Sequence, residues 1–322
     1  MKLGIIGTGR VAQTHAEAFR QISPDLIGGA WNRTFENAQN YCAKFGGTAF
    51  ESLDELLDNS TIDAAVILST TPTHFDFAKA ALKAGKHVLL EKPVCETSEQ
   101  IAELMSVARE NGKICMPSHN YLYSEDLRRL HHHTLAGNLG KILNFWVMFS
   151  NFHPSHYGMT GTYMMRELFV HHTYVMLYMM GRPQTVSTVG TNRHFDDPTA
   201  IDQMMITATF DDGRIANLWG SFAAEDLARE PWSYLVKVMG TEGTGIASWD
   251  KIKYGQQQEP LWDDGGYWDS FLHVDRYFVE QCVGKGVPPL STLEDARDAA
   301  KIFEAAVQSL SEKRQIDIVY GD

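Results

Sequence analysis

Residues 3–12 have the sequence LGIIGTGRVA, and this stretch decides the fold. A short apolar strand leads into a GxGxxA motif, and the first helix begins within that motif. Gly7 permits a tight turn, Gly9 lets the backbone approach a pyrophosphate, and Ala12 allows close packing of helix on strand. Since a helix N-terminus offers amide donors and partial positive charge, the motif predicts a dinucleotide-binding loop. The predicted loop consists of Gly7, Thr8, Gly9, Arg10, Val11 and Ala12.

Strands and helices alternate through the first part of the chain. The clearest strand is AAVILS at 64–69, and another apolar run lies at 87–90. A short helix begins after Ser52, which stands three residues before Glu55, the spacing of a capping box. Strands that alternate with helices predict a parallel sheet covered on both faces. We therefore assign residues 1–120 to a doubly wound Rossmann domain of the α/β class.

The pattern changes after residue 120 to strand-like runs with few helices. The runs lie at 142–149, 185–193, 204–210, 215–222, 234–239 and 246–249. Between two of them, residues 211–214 have the sequence DDGR, which predicts a hairpin turn. We therefore expect residues 121–322 to form an α+β domain on a large, mostly antiparallel open sheet.

Composition and charge argue against two classes of function, namely nucleic-acid binding and membrane association. The chain of 322 residues has a formal net charge of −12, so phosphate backbones repel it and nucleic acid is not an expected partner. No apolar run is long enough to span a membrane, and the N-terminus leads into the first strand rather than a signal peptide. The four cysteines form no CxxC pair, which favours free thiols in a reducing compartment. We expect a cytoplasmic protein without membrane association.

The tip of the second strand bears on the choice of cofactor. Rossmann domains that bind NAD carry an acidic residue here, which bonds the ribose hydroxyls. In this sequence the tip is Asn32-Arg33-Thr34, which has no acidic residue. Asn32 is able to bond a hydroxyl and Arg33 to pair with a 2′-phosphate, so the sequence favours NADP while leaving NAD open. The alternative is that Arg33 is an ordinary solvated loop residue.

Two segments together carry a family resemblance. Residues 69–74 have the sequence STTPTH, and residues 80–93 have the sequence AALKAGKHVLLEKP. The pair closely resembles the Gfo/Idh/MocA family, which includes glucose–fructose oxidoreductase and inositol dehydrogenase. The resemblance implies a Rossmann domain, a second domain whose sheet forms homodimers or homotetramers, and a nicotinamide that lies between the two domains.

The Glu-Lys-Pro step is that family's best-known signature. The resemblance implies that Lys92 lies beside the nicotinamide and contacts the reacting hydroxyl or carbonyl, and that a cis bond before Pro93 shapes the turn. It also implies a set of cofactor contacts around the ends of two strands: Thr70, Thr71, Pro72, His74, Glu91, Lys92 and Pro93. The alternative for Lys92 alone is a surface lysine.

A second catalytic element is expected on a helix. Family members usually carry three glycines, then an aspartate, a histidine four residues later, and often another aspartate three residues after that. His171 matches the histidine, Glu167 takes the place of the first aspartate and Tyr174 that of the second, while the triple glycine is missing. Because residues four apart share a helix face, Glu167 and His171 are expected to point the same way, with the Glu167 carboxylate orienting the imidazole. His171 is expected to exchange the substrate proton. The alternative is that His171 is a packed helix residue.

Further polar residues are candidates for a substrate pocket. Asn120 and Tyr121 follow the last strand of the first domain, where parallel sheets place ligands, and His153 and His156 precede the catalytic helix. His172 is either structural or part of the pocket lining. No metal is predicted, because the three consecutive histidines at 131–133 point in different directions on a helix.

The resulting functional hypothesis is an NAD(P)-dependent dehydrogenase or reductase that acts on a CH–OH carbon of a sugar, polyol or related small molecule. One alternative uses bound NAD without net redox change, through a transient keto sugar, for glycoside cleavage or epimerisation. Another alternative is a cofactor-binding sensor without turnover. The presence of both Lys92 and His171 argues against the sensor.

Overall fold

The computed structural model describes residues 1–156, 160–224, 233–248 and 265–321. The chain divides into two compact units. The first comprises Met1–Asn120 and Trp268–Arg297, and the second comprises Tyr121–Tyr267 and Asp298–Asp322. The sequence had placed residues 268–297 with the second domain, whereas here this segment packs in the first.

The first unit is built on a six-stranded sheet in which every pair of neighbouring strands is parallel. Its strands are β1 (Leu3–Ile6), β2 (Ile27–Trp31), β3 (Thr48–Ala49), β4 (Ala64–Ile67), β5 (His87–Leu90) and β6 (Cys115–Pro117). The spatial order is β3-β2-β1-β4-β5-β6, so the strand order reverses between β1 and β4. Ligands of such sheets bind outside the carboxyl ends of the strands at this reversal. The predicted Rossmann topology is confirmed.

Five helices connect these strands: α1 (Arg10–Ile22), α2 (Phe35–Phe45), α3 (Leu53–Asp58), α4 (Thr71–Lys83) and α5 (Ser98–Glu110). The capping box at the start of α3 is formed, with the Ser52 hydroxyl accepting from the Glu55 amide. Helix α4 begins at Thr71, within the segment at 69–74 that carries part of the family resemblance. Pro72 suits the first turn of a helix because its missing amide proton has no helical partner there.

The second unit contains a seven-stranded sheet of the order β12-β11-β7-β10-β9-β8-β13. Its strands are β7 (Ile142–Ser150), β8 (Thr185–Thr191), β9 (Gln203–Thr209), β10 (Ile215–Ser221), β11 (Ser233–Gly240), β12 (Thr244–Ser248) and β13 (Ile316–Asp317). The β7–β10 pair is parallel and the other described pairs are antiparallel. The turn at 211–214 joins β9 to β10, as its sequence predicted.

The remaining helices are α6 (Glu125–Leu135), α7 (Tyr163–Met180), α8 (Gly265–Arg276) and α9 (Leu293–Glu312). A 3₁₀ turn at Asn120–Tyr123 and a π-helical segment at Tyr277–Val283 complete the described elements. In the part of the chain that the structure describes, no helix is long and apolar enough to cross a membrane.

Helix α7 packs against one face of the second sheet. A side chain at Gly220 on β10 would collide with Leu168, so the glycine permits the close approach of the helix. The Nε2 atom of His172 lies 3.0 Å from the carbonyl oxygen of Trp219 and links the helix to the same strand. The sheet residues beneath the helix, such as Phe145 and Val147, are fully buried. This packing fixes the position of the predicted catalytic helix within its unit.

Candidate active site

The glycine loop at the end of β1 has the geometry of a phosphate cradle. Gly7 has a φ of +90°, and a Cβ there would come within 2.8 Å of the Ser69 backbone nitrogen. A Cβ on Gly9 would meet nothing within 4 Å, so the backbone at Gly9 borders open space. No side chain caps α1, and its first turn holds no acidic residue. The uncapped amides and the open approach therefore fit the pyrophosphate of a dinucleotide.

The tip of β2 is tied to this loop. The Nδ2 of Asn32 donates to Thr8 Oγ1 at 2.9 Å, and its Oδ1 accepts from the Thr34 amide at 2.9 Å. The sequence had suggested Asn32 only as a ligand for a ribose hydroxyl, and that role stays a prediction. Arg33 follows with an exposed side chain. The strand tip therefore holds the glycine loop while presenting a cation to solvent.

His74 connects the loop after β4 with the turn after β5. Its Nδ1 lies 2.8 Å from the carbonyl oxygen of Pro93, and its Nε2 lies 3.0 Å from that of Ser69. The ring is buried, whereas Thr70, just before α4, and Pro72, in the first turn of α4, are exposed. The observed contacts give His74 a structural role, and its predicted cofactor contact remains a prediction.

The Glu-Lys-Pro turn follows β5 directly. The Lys92–Pro93 peptide bond is cis, Glu91 is buried and Lys92 is half-buried. Because β5 and β6 are neighbouring parallel strands, the residues after β6 lie at the same edge of the sheet. Lys92 therefore lies where the topology of the first unit places ligands.

His119 lies just beyond β6 and was not identified from the sequence. Its ring is fully buried, and its Nδ1 lies 2.7 Å from the Ser291 hydroxyl. Burial, with a smaller contribution from the charge of Lys92, lowers the pKa of His119 to about 3. A neutral imidazole is thus held near Lys92. Its location at the carboxyl end of a parallel strand was the one signal available in the sequence.

A buried pair links α1 to α8 in the first unit. The Nδ1 of His15 lies 2.8 and 2.9 Å from the two carboxylate oxygens of Asp275, and both side chains have no exposed surface. Burial lowers the pKa of His15, but the charge and hydrogen bond of Asp275 outweigh this and raise it overall. This pair is one of the contacts that join the 268–297 segment to the rest of the first unit.

His171 lies on α7 within a cluster of aromatic rings in the second unit. Its imidazole is buried and stacks on the ring of Tyr121, with centroids 4.0 Å apart and planes tilted by 17°. Its Nδ1 lies 2.5 Å from the Tyr174 hydroxyl oxygen, which also accepts a long bond of 3.4 Å from the Tyr121 amide. The structure therefore shows Tyr174 bonded to His171. The sequence had noted Tyr174 only as a replacement for an aspartate.

Glu167 lies one turn before His171 on the same helix and is half-buried. The pKa of Tyr163 is raised by burial and, to a smaller extent, by the charge of Glu167. The predicted role of Glu167 in orienting His171 stays a prediction.

The other predicted pocket residues have different surroundings. Asn120 is buried in the first unit, where its Nδ2 donates to the Ser270 hydroxyl at 2.8 Å. His153 packs against the ring of Phe222 at 5.1 Å, and burial lowers its pKa. His156 is exposed.

His172 is buried, and burial lowers its pKa to about 4. Its ring nitrogens lie near the carbonyl oxygens of Leu168 and Trp219. These contacts favour the structural interpretation of His172.

Residues 1–156, 160–224, 233–248 and 265–321 hold no cluster of three His, Cys, Asp or Glu side chains placed to bind an ion. Of the consecutive histidines, His131 packs on the Tyr178 ring at 3.9 Å and His133 bonds Asn138 at 2.7 Å. Both therefore have partners in the protein.

The fold and the glycine loop define a protein of the NAD-binding Rossmann class. The model of an oxidoreductase family with an NAD-binding Rossmann fold matches residues 1–119, and the model of the GFO/IDH/MocA C-terminal domain matches residues 127–245. The two models are parts of the same family and together match most of the chain. The chain therefore belongs to the Gfo/Idh/MocA oxidoreductase family, and the resemblance is confirmed.

Individual relatives are distant. Glucose-6-phosphate 3-dehydrogenase of Bacillus subtilis is 32% identical, but this match spans only 46% of the chain and 42% of that protein. Myo-inositol 2-dehydrogenase of Thermotoga maritima is 23% identical over 99% of the chain and 98% of that protein. The crystal structure of a putative myo-inositol dehydrogenase from Sinorhizobium meliloti has a TM-score of 0.86 at 21% identity, covering 99% of this chain and 100% of that one. The last similarity shows a common fold.

Proposed function

We propose that this protein is an NAD(P)-dependent dehydrogenase or reductase acting on a CH–OH carbon of a sugar, polyol or related small molecule. The observation that carries the proposal is the buried imidazole of His171, held at Nδ1 by Tyr174 at 2.5 Å. A histidine titrates near neutral pH, and one whose ring is fixed by a hydrogen bond is suited to act as the acid or base in alcohol oxidation. Membership of an oxidoreductase family supports the same reaction class.

Lys92 and His171 have separate chemical tasks in this proposal. A bound nicotinamide supplies or accepts the hydride at the substrate carbon. His171 exchanges the proton of the substrate oxygen, and the ammonium of Lys92 stabilises negative charge that develops on that oxygen. Glu167 is proposed to assist His171 from the preceding turn. Asn120, Tyr121, His153 and His156 remain candidate pocket residues.

The proposed substrate class rests on the relatives. Two of them are named as dehydrogenases, one acting on glucose-6-phosphate and the other on myo-inositol. The experiment is a screen of the purified protein, with NAD⁺ or NADP⁺ as cofactor, against inositols, aldoses and sugar phosphates. The formation of reduced nicotinamide measures turnover. We expect turnover with at least one cyclic polyol or sugar.

Two other outcomes of this screen would change the assignment. A product that forms without net reduced nicotinamide would support redox-neutral cleavage or epimerisation. Cofactor binding without turnover of any compound would support the sensor.

The cofactor is proposed to be NADP in preference to NAD. The support for this preference is that Arg33, just after β2, is exposed and has no acidic neighbour among residues 32–34, since an arginine is able to pair with a 2′-phosphate. Titrations with NADPH and NADH should show tighter NADPH binding, and Arg33→Ala should reduce that preference about tenfold. Arg20→Ala removes another exposed arginine of the first unit and should leave it unchanged. Equal affinities in the wild type would overturn the assignment.

The second unit is proposed to form a homodimer or homotetramer through the open face of its sheet. Met205, Trp219, Met148 and Leu235 lie directly opposite one another on four adjacent strands, and each is partly exposed. Trp146, in the next row, is 37% exposed. A continuous apolar row of this kind is typical of a protein interface. Sedimentation analysis of the wild type and of Trp146→Glu should show an assembly that the substitution weakens.

The cellular location is proposed to be the cytoplasm. All four cysteines are buried free thiols, which persist in a reducing compartment. Fractionation of the source cells tests this location.

A further inference from the structure

Asp202 lies in the second unit just before β9 and has no exposed surface. Its Oδ2 accepts hydrogen bonds from consecutive backbone amides, those of Arg193 at 2.9 Å, His194 at 2.6 Å and Phe195 at 3.2 Å. Hydrogen bonds from backbone amides to a carboxylate are stronger than those to a neutral oxygen. Because these amides converge on one buried oxygen, the carboxylate fixes the course of the chain at 193–195.

The backbone of Asp202 ties the same part of the chain to the sheet. Its amide donates to the Thr191 carbonyl at 3.1 Å, and its carbonyl accepts from the Phe222 amide at 2.8 Å. Thr191 ends β8 and β9 begins at Gln203, so residues 192–202 form the β8–β9 loop. Asp202 therefore closes this loop at both ends and anchors it beside the end of β10.

The β8–β9 loop holds the segment at 151–156. Nε2 of His194 lies 2.8 Å from the carbonyl oxygen of His153, and because a carbonyl can only accept, this nitrogen donates. The Asp196 amide donates to the Ser155 carbonyl at 3.0 Å. The His194 ring also packs against that of Phe152 at 4.9 Å. The backbone of the segment therefore depends on the position of the loop.

The other end of the loop reaches the start of the predicted catalytic helix. The Ile201 amide donates to the Gly161 carbonyl at 2.8 Å, two residues before α7 begins. The Gly161 amide in turn donates to the Thr199 hydroxyl at 3.4 Å. One loop therefore contacts both the segment with the candidate pocket residues and the chain that leads into the helix of His171.

We propose that Asp202 is a positioning residue that sets the conformation of segment 151–156 through the β8–β9 loop and thereby shapes the substrate pocket. This rests on the proposed function, in which His153 and His156 are candidate pocket residues. The path runs from the Asp202 carboxylate to the His194 amide, and from the His194 imidazole to the His153 carbonyl. Asp202 touches neither the reacting atoms nor the nicotinamide in this proposal. It governs how tightly the substrate binds.

Two variants interrupt the path at different points. Asp202→Asn keeps the shape of the side chain but has only one acceptor oxygen. If that oxygen faces the amides, the new NH₂ group takes the buried position of Oδ1, where the described residues offer no hydrogen-bond partner. The reverse orientation sets donors against donors. His194→Phe keeps an aromatic ring and removes the donor to the His153 carbonyl.

The matched control is Asp212→Ala. The Asp212 carboxylate accepts from the Arg214 amide at 3.2 Å in the turn between β9 and β10 of the same sheet. The variant removes a bond of the same kind that lies outside the β8–β9 loop.

Amide hydrogen exchange tests the path without any substrate. Mass spectrometry of the cofactor-free protein follows peptides that cover 190–196 and 150–156, and circular dichroism establishes that each variant is folded. Asp202→Asn should raise exchange at least about tenfold in both segments, and His194→Phe only at 150–156. Asp212→Ala should change neither. Unchanged exchange at 150–156 in folded Asp202→Asn and His194→Phe proteins would overturn the proposal.

Kinetics with a substrate from the screen separate positioning from a purely structural role. Asp202→Asn and His194→Phe should each raise KM about tenfold with little change in kcat, as expected when substrate binding alone is weakened. The double variant should raise KM no further than either single variant, because both act on one path. Asp212→Ala should keep the wild-type KM. A lowered kcat with unchanged KM, or additive effects on KM, would contradict the path.

The positioning role and the proposed function fail in different ways. The expected exchange pattern in a protein that turns over no compound of the screen contradicts the proposed function and supports the control of segment 151–156 by Asp202. Turnover with the wild-type KM in both variants overturns the positioning role and leaves the proposed function intact.

Discussion

The two units build their candidate functional groups in different ways. In the first unit, backbone conformation sets the glycine loop, with Gly7 at a φ of +90°, and His74 joins two turns through carbonyl oxygens. In the second unit, side chains build the site, since the rings of Tyr121 and Tyr174 hold His171. A site made of backbone depends on residue types at fixed local spacing. A site made of side chains depends on which residues the fold brings together.

The largest expected effect comes from removing the reactive groups themselves. His171→Asn should lower turnover by about 10²–10⁴-fold, because general acid–base catalysis contributes that much. Lys92→Met should also cause a large loss, because a preorganised positive charge is removed from the developing oxyanion. Steady-state kinetics with the screened substrate measure both.

The control for these substitutions is His172→Gln. His172 bonds Trp219 at the sheet rather than reacting groups, so this variant should retain most of the turnover of the folded protein. Near-normal rates in both His171→Asn and Lys92→Met would show that neither residue is a catalytic group.

The next largest effect concerns the buried His15–Asp275 pair of the first unit. His15→Phe leaves Asp275 buried without its partner, and should lower the free energy of unfolding by about 3–5 kcal/mol. Lys79→Ala breaks the more exposed Lys79–Glu103 pair of the same unit and should cost less than about 1 kcal/mol. Chemical denaturation measures both changes.

A double variant separates the loss of the partner from the loss of packing. His15→Phe with Asp275→Leu replaces the pair by apolar groups and should recover part of the lost stability. If His15→Phe costs no more than Lys79→Ala, the pair does not hold the 268–297 segment in the first unit.

The fold was largely predictable because its determinants are local. The strand, the glycine motif and the start of the helix that follows lie within residues 3–12, and the Ser52–Glu55 capping box spans one turn. The assignment of residues 268–297 could not be predicted in this way. It depends on long-range contacts such as the pair of His15 and Asp275, which are 260 residues apart, and no local pattern marks an aspartate as the partner of a distant histidine.

The same distinction applies to the candidate site. The residues Lys92 and His171 were found through motifs of fixed spacing. The role of Tyr121 could not be found, because its stacking on His171 depends on the packing of the turn at 120–123 against α7. His119 was missed because a single histidine after a strand carries no spacing signal, although the fold places it at the sheet edge that also carries Lys92.

A pair of glycine variants tests whether the glycine loop of the first unit depends on its backbone conformation. Gly7→Ala should destabilise the protein by about 1–3 kcal/mol or more, because its Cβ would meet the backbone of Ser69 at 2.8 Å and its φ is positive. Gly9→Ala meets open space and should leave stability nearly unchanged while weakening cofactor binding. Denaturation and fluorescence titration with NADPH measure the two properties. Equal stability of both variants would contradict the backbone account of this loop.

The smallest expected effects are two opposite pH dependences of stability. The pKa of His15 is raised by Asp275 against the effect of burial, and the pKa of Asp275 is raised by burial. The folded state therefore binds protons more tightly than the unfolded state. The contribution of the pair is present below the ordinary histidine pKa of 6.5 and is lost as the pH rises through the folded value. The charge of Glu91 also raises the pKa of His15, and the charge of Asp275 contributes to the raised pKa of Tyr41.

His172 in the second unit has the opposite sign. Burial lowers its pKa to about 4, so the folded state binds a proton less readily than the unfolded state. Stability is lost as the pH falls below 6.5 and is unaffected by this group above it. Denaturation at about pH 5 and about pH 9 measures the free energy of unfolding on each side. We expect His172→Gln to remove the loss of stability at acid pH, and the double variant of His15 and Asp275 to remove the loss at alkaline pH. If the free energy of unfolding depended on pH in the same way in both variants, the two units would not differ in how they bury histidine.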